Sequence, residues 1–177
     1  MATSRDTPVD RPSSAGSTGR RQSMVTTLAS LVGAHPDALR RLFNEGHPAD
    51  PAELGDVTRG LLLSIAAADD VFLAMRPIVR AIAAGPMPWK GKTFDHGGNS
   101  GQNLIFGKPR LRFRAEVAPS ALDGKPALRL FYSDAAFANP WLVRDTIDEL
   151  RGVAPGMALG PVLFHGRVLG WIGLERG

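Results

Sequence analysis

The sequence contains no cysteine. This absence excludes disulfide bonds, thiolate-bound zinc, cysteine-ligated iron–sulfur clusters and a cysteine nucleophile. A long apolar run is also missing, because the longest, residues 60–68, ends at Asp69 and Asp70. Roughly 20 apolar residues are needed to cross a bilayer as a helix. We therefore expect no transmembrane segment and a cytoplasmic location.

Charged residues are not abundant, at 21% of the chain, and aromatic residues make up only 7%. Both values are typical of a globular domain. The formal net charge is +4, but several basic residues stand together near the start of the chain: Arg5, Arg11, Arg20 and Arg21. Because the aromatic residues are not interleaved with Lys and Arg, we do not expect nucleic-acid binding.

The first 22 residues are rich in Ser, Thr, Gly, Pro, Asp and Arg and contain almost no large apolar side chain. Such a segment cannot bury enough apolar surface to offset the entropy of ordering. We predict a disordered basic tail over residues 1–22, a helical segment over 23–53 and a β-barrel domain over 54–177. An alternative interpretation of Arg20-Arg21 is a twin-arginine export signal.

The clearest helical signals lie in three places. His35-Pro36-Asp37 predicts the start of a helix, because proline is favoured in the first turn. Apolar spacing predicts a second helix from Val71 to Ala83, and Asn139-Pro140 predicts the cap of a third, Trp141 to Leu150.

From Trp89 onward the apolar pattern mostly has a period of two, which is typical of strands. Including a first strand near Gly60, the pattern predicts about seven strands. The turns between them are marked by glycine, as in Asp123-Gly124 and His165-Gly166. Many short strands tend to remove their exposed edges by closing. The fold class predicted is mainly β with N-terminal helices: an antiparallel meander β-barrel with one inserted helix near the C-terminus.

The stretch PWKGKTFDHGGNSGQNLIFG, Pro88 to Gly107, allows two interpretations. Its glycines and lysines suggest a phosphate-binding loop, but the P-loop spacing is absent and a strand-like segment follows instead of a helix. A β-hairpin is therefore favoured. Lys90 and Lys92 alternate in this segment, so they are expected to share one strand face.

Candidate ligand-binding residues follow from the barrel hypothesis. Cationic side chains that point inward could pair with an acidic head group, and large aromatic side chains could form the wall of a cavity. The candidates are Trp89, Lys92, Phe94, Phe113, Arg114, Arg129, Tyr132 and Trp171. We propose no catalytic residue, metal site or cofactor from the sequence.

Several segments resemble a known group of barrels. Gly55 and Gly60, followed by Trp89, Gly91, Lys92 and Phe94 in PWKGKTF, resemble the GXWXG and W-x-GK-x-F motifs of small bacterial β-barrel proteins. More broadly the chain resembles the calycin superfamily of lipocalin and fatty-acid-binding barrels. The resemblance implies a barrel that binds a small hydrophobic or amphipathic molecule and implies no catalytic residues.

Three functional hypotheses follow. The first is non-enzymatic binding of a lipid-like small molecule in a barrel cavity of roughly 300 Å³ or more. The second is an isomerase- or hydrolase-type enzyme that uses His96 or His165 in the pocket. The third is a protein-interaction or structural module that docks partners on its N-terminal helices. The sequence does not indicate an oligomeric state.

Overall fold

The computed structural model describes residues 27–66 and 87–177. Its N-terminal part contains a 3-10 turn, Leu28–Leu31, and helix α1, Pro36–Glu45, followed by the two-residue strand β1, His47–Pro48, and the helical turn α2, Pro51–Leu54. Helix α1 begins where the sequence predicts it. The backbone N–H of Asp37 donates to His35 Nδ1, and Pro36 occupies the first turn, where a missing N–H costs nothing.

Eight longer strands form the body of the protein. They are β2 Thr58–Ile65, β3 Trp89–Phe94, β4 Ser100–Ile105, β5 Lys108–Pro119, β6 Pro126–Phe131, β7 Thr146–Ala154, β8 Met157–Phe164 and β9 Arg167–Arg176. A 3-10 turn, Ala135–Phe137, and the short helix α3, Trp141–Arg144, lie between β6 and β7.

All strand pairs are antiparallel, and each strand from β3 to β9 pairs with the next one along the chain. Strand β2 pairs with β9, so the order is β2-β9-β8-β7-β6-β5-β4-β3. The short β1 pairs with β7. The protein is therefore mainly β, a nearly closed antiparallel barrel of eight strands with a few short helices.

Strands β2 and β3 meet at the seam of the barrel. A single bridge joins Val57 to Thr93, and the Thr58 hydroxyl and the Lys92 backbone exchange hydrogen bonds of 3.0 Å. The approach is close at Gly91, where a Cβ atom would lie 2.0 Å from the carbonyl oxygen of Thr58 and φ is +143°. Only glycine accommodates both conditions.

The sheet buries apolar side chains on both of its faces. Inside the barrel, Phe113, Leu128, Leu130, Leu150 and Leu174 are among the members of one buried cluster. A second cluster lies between the outer face and the N-terminal segment: Leu28, Leu39, Phe43, Leu63, Leu159 and Trp171. Helix α1 thus packs on the outside of the barrel, against β7 and β8.

Arg151 fastens the N-terminal segment to the sheet. Its side chain is almost completely buried and donates to the backbone carbonyls of Phe43, Lys125 and Pro126. It also forms two hydrogen bonds, 2.7 and 2.8 Å long, with the Asp123 carboxylate. One guanidinium therefore joins the end of α1, the β5–β6 turn and strand β7.

The predicted turns are confirmed, and one predicted helix is wrong. Asp123-Gly124 and His165-Gly166 lie in hairpin turns, and the stretch from Pro88 to Gly107 forms the β3–β4 hairpin. The helix predicted from Trp141 to Leu150 ends at Arg144, and Thr146–Ala154 is a strand. Three charged residues of that stretch, Asp148, Glu149 and Arg151, pair instead with residues distant in the chain, because local propensity yields to packing.

Two further expectations concern side-chain faces and residues outside the described ranges. Lys90 and Lys92 do not share a face: Lys90 is exposed and Lys92 is buried, because a bulge at Gly91 shifts the register. The predicted tail, residues 1–22, and the predicted helix Val71 to Ala83 lie outside the described residues. None of the helices within residues 27–66 and 87–177 is long and apolar enough to cross a bilayer.

Candidate functional site

An apolar cavity of about 220 Å³ lies inside the barrel. Most of its wall is aliphatic or aromatic, with side chains that include Leu62, Trp89, Ile105, Val162 and Ile172. Lys92, Asn103, Tyr132, Thr146 and Asp148 contribute the polar part of the lining. A mostly apolar cavity with a few convergent polar groups is the usual form of a small-molecule site.

The polar part is centred on a buried ion pair. Lys92 Nζ donates to Asp148 Oδ2 at 2.7 Å, to the Tyr132 hydroxyl at 2.8 Å and to Asn103 Oδ1 at 2.7 Å. The side chains of Lys92 and Asp148 are only 1% and 6% exposed. Three acceptors match the three N–H groups of an ammonium, so the geometry corresponds to a charged lysine paired with a carboxylate.

The remaining members complete a closed hydrogen-bond network, which we call the polar cluster: Trp89, Lys92, Asn103, Tyr132 and Asp148. The Tyr132 hydroxyl donates to Asp148 Oδ2 at 2.7 Å and accepts from Asn103 Nδ2 at 3.0 Å. Trp89 Nε1 donates to Asn103 Oδ1 at 2.8 Å. Networks of this kind stabilise a buried ion pair because few polar atoms remain without a partner.

Strand register brings these side chains together. Lys92 of β3 stands opposite Asn103 of β4, and Asp148 of β7 stands opposite Leu130, two residues before Tyr132. The bulge between Trp89 and Gly91 turns both Trp89 and Lys92 toward the interior. The site thus depends on one glycine in β3 and on the pairing of four strands.

Burial shifts the protonation equilibria of two cluster members. Desolvation lowers the pKa of Lys92, and the adjacent Asp148 carboxylate opposes that effect. Desolvation also raises the pKa of Tyr132 well above its usual range, and the charge of Asp148 and its hydrogen bond act in the same direction. Tyr132 is therefore held in its neutral, hydrogen-bond-donating form.

Five of the eight residues predicted to bind ligand lie in the interior. Trp89, Lys92 and Tyr132 line the cavity. Phe94 and Phe113 lie in the interior cluster, where the Phe113 ring contacts the rings of Phe94 and Tyr132 edge-on at 5.6 and 5.8 Å. These two rings are part of the packing behind the polar cluster.

The other three lie on the outer face of the sheet. Arg114 is exposed and pairs with Glu116, and Arg129 lies 3.1 Å from the buried Glu149 carboxylate. Trp171 packs edge-on against Phe43 of α1, with 5.9 Å between ring centroids. Outward strand positions therefore carry both arginines and this tryptophan away from the cavity.

Sequence reasoning missed two members of the polar cluster. Asn103 is a single polar residue in the otherwise apolar segment NLIF, and Asp148 lies within the helix predicted from Trp141 to Leu150. The signal available for Asn103 was a polar residue in a strand segment that is otherwise apolar. The two histidines suggested for catalysis, His96 and His165, are exposed and do not line the cavity.

Within residues 27–66 and 87–177, no group of His, Asp and Glu side chains is arranged to hold a metal ion.

Comparison with known proteins gives little beyond the fold. No family model and no curated protein matches the chain. A crystal structure of a protein from Thermomonospora curvata superposes with a TM-score of 0.56 at 19% identity, covering 84% of this chain and 92% of that one. At this identity the similarity shows a shared barrel fold.

Proposed function

We propose that the protein binds a small hydrophobic or amphipathic molecule, without chemical conversion, inside the barrel. The observation that carries this proposal is the apolar cavity of about 220 Å³. Closed barrels of about eight strands have interiors just wide enough for side chains or for one small ligand. The resemblance of the sequence to calycin barrels supports the same function.

The volume limits the ligand. It is below the 300 Å³ expected from the sequence, and an apolar cavity of about 150 Å³ holds benzene. By that comparison the occupant has on the order of ten non-hydrogen atoms. A small aromatic or branched aliphatic compound fits this size, whereas a long acyl chain would extend out of the cavity.

Tryptophan fluorescence offers a direct test, because Trp89 lines the cavity while Trp141 is exposed and Trp171 lies under α1. In a Trp141→Phe, Trp171→Phe background, the signal reports on Trp89 alone. We expect small aromatic probes to change its intensity in a saturable manner. Native mass spectrometry of the purified full chain would identify a ligand that is retained.

A pair of matched variants localises the binding. Val162→Phe places a larger side chain in the cavity and is expected to abolish the saturable change, whereas Val117→Phe enlarges an exposed strand position and should leave it intact. Overpacking of this kind costs about 1–3 kcal/mol, so circular dichroism must show that both variants are folded. Equal binding by the two variants would contradict the proposal.

An enzyme is the second candidate, favoured by the titratable groups beside the cavity. Lys92 and Tyr132 have perturbed pKa values, and such groups concentrate at catalytic sites. Because His96 and His165 are exposed, an isomerase- or hydrolase-type reaction would have to use the polar cluster. Conversion of a bound compound by the full chain, lost in an Asp148→Asn variant that circular dichroism shows to be folded, would favour this candidate over simple binding.

A further inference from the structure

One oxygen of the Asp148 carboxylate has no hydrogen-bond partner among the described residues. Oδ2 accepts the hydrogen bonds from Lys92 and Tyr132, while Oδ1 accepts none from any residue within 27–66 and 87–177. Asp148 is 96% buried, but Oδ1 is not among the atoms sealed from the surface without a partner. Because Asp148 lines the cavity, Oδ1 is the carboxylate oxygen that remains available to a molecule bound there.

The side-chain donors of the described cavity wall are all engaged in hydrogen bonds. Lys92 uses its three N–H groups within the cluster, and Trp89 Nε1 donates to Asn103. The Asn103 amide donates to Tyr132 and to the Leu111 carbonyl. The Thr146 hydroxyl donates to the Val143 carbonyl at 2.7 Å. The side chains of the described wall thus offer a ligand one free anionic acceptor and no free donor.

This imbalance selects among ligand chemistries. A carboxylate or phosphate would meet the Asp148 charge with no free N–H to offset the repulsion. A pure hydrocarbon would leave Oδ1 without a hydrogen bond in a mostly apolar space, which is unfavourable for a buried charged acceptor. A hydroxyl or N–H group at one end of a small apolar molecule satisfies both conditions.

We propose that the ligand is a neutral small molecule, a phenol or alcohol in its simplest form, that donates a hydrogen bond to Asp148 Oδ1 and fills the cavity with its apolar part. This inference rests on the proposed binding function. It makes Asp148 the specificity-determining residue. Lys92 and Tyr132 are positioning residues, because they hold the other carboxylate oxygen.

Three probes of similar shape separate the possibilities: 4-ethylphenol, 4-ethyltoluene and 4-ethylbenzoate. Each is titrated into the full chain at pH 7.5 by calorimetry. We expect 4-ethylphenol to bind at least about tenfold more tightly than 4-ethyltoluene, a factor consistent with one hydrogen bond to a charged acceptor. We expect 4-ethylbenzoate to show no saturable heat.

Other results have distinct meanings. Equal affinity for 4-ethylphenol and 4-ethyltoluene would overturn the inference and leave the binding function standing. Tightest binding of 4-ethylbenzoate would overturn the inference in favour of an anion site. If none of the three binds, the proposed function fails at this ligand size and the inference fails with it.

Variants assign the preference to the carboxylate. A single change at Asp148 leaves Lys92 unpaired and endangers folding, so the test variant is Lys92→Met with Asp148→Leu, which removes the buried pair as a unit. It is expected to lose the preference for 4-ethylphenol, so that 4-ethylphenol and 4-ethyltoluene bind with similar affinity. The control is Arg114→Met with Glu116→Leu, an exposed pair on the outer face, which should retain the preference. A retained preference in the test variant would refute the assignment.

Discussion

The buried Lys92–Asp148 pair makes a strong prediction about stability. Replacing Lys92 alone with methionine leaves a carboxylate that is 6% exposed in its side chain without its cation. Breaking a buried pair from one side costs about 3–5 kcal/mol, whereas replacing both partners with apolar residues of similar volume is often neutral. For a protein of this size, about 2–4 °C per kcal/mol converts the cost to a fall in Tm of roughly 6–20 °C.

The assay is urea unfolding of the full chain, followed by circular dichroism and by tryptophan fluorescence. Lys92→Met should lower the unfolding midpoint strongly, and addition of Asp148→Leu should restore most of the loss at an unchanged slope. Arg114→Met removes one partner of an exposed pair and serves as the control, with an expected effect of about 0–1 kcal/mol. The reasoning is refuted if Lys92→Met matches the control, or if the double variant is as unstable as Lys92→Met.

Three further predictions concern single residues. Tyr132 is the chain's one tyrosine, so absorbance at 295 nm reports its ionisation directly. Because the pKa of Tyr132 is raised, the native protein should not titrate near pH 10, where the tyrosine of the urea-unfolded chain does. The free energy of unfolding should therefore fall as the pH rises above about 10. Native titration near pH 10 would contradict this. Gly91→Ala should destabilise the fold by more than about 3 kcal/mol, since the added Cβ atom meets the backbone of Thr58. The control, Gly107→Ala, is also at positive φ but in open space and should cost about 1 kcal/mol. Similar urea midpoints for the two variants would show that the β2–β3 seam accommodates a side chain at position 91. The Arg151 guanidinium lowers the pKa of Asp123. The stabilisation that is lost in Asp123→Asn should therefore be present above about pH 4 and disappear in stronger acid. A Tm difference between the native protein and Asp123→Asn that stays constant from pH 6 to pH 3 would exclude this linkage.

The sequence predicts those parts of the fold that follow local rules. Alternating apolar residues and glycine turns identify the hairpins around Asp123-Gly124 and His165-Gly166, and Pro36 marks the start of α1. These signals depend on backbone geometry within a few residues of the position concerned. They are sufficient to predict a barrel of antiparallel strands.

The site depends on contacts that no local pattern contains. Asp148 and Arg151 have the spacing of a helix surface pair, yet one points into the barrel and the other toward α1. Lys92 is buried because a bulge at Gly91 changes the alternation, and that bulge reflects the close approach of Thr58 from another strand. The burial of a charged residue inside a barrel can be predicted only when the partner that pairs with its charge is known.

The pairing of β2 with β9 has a consequence for how the protein folds. Arg59 pairs with Glu175, 116 positions away, and the β2–β3 seam remains weakly hydrogen-bonded. During synthesis β2 leaves the ribosome early and has to wait for β9, with a strand edge open in the meantime. Long sequence separation slows folding and exposes strand edges to aggregation. We therefore expect closure of the barrel to be a slow step of folding, with β2 as the strand that depends most on protection by chaperones.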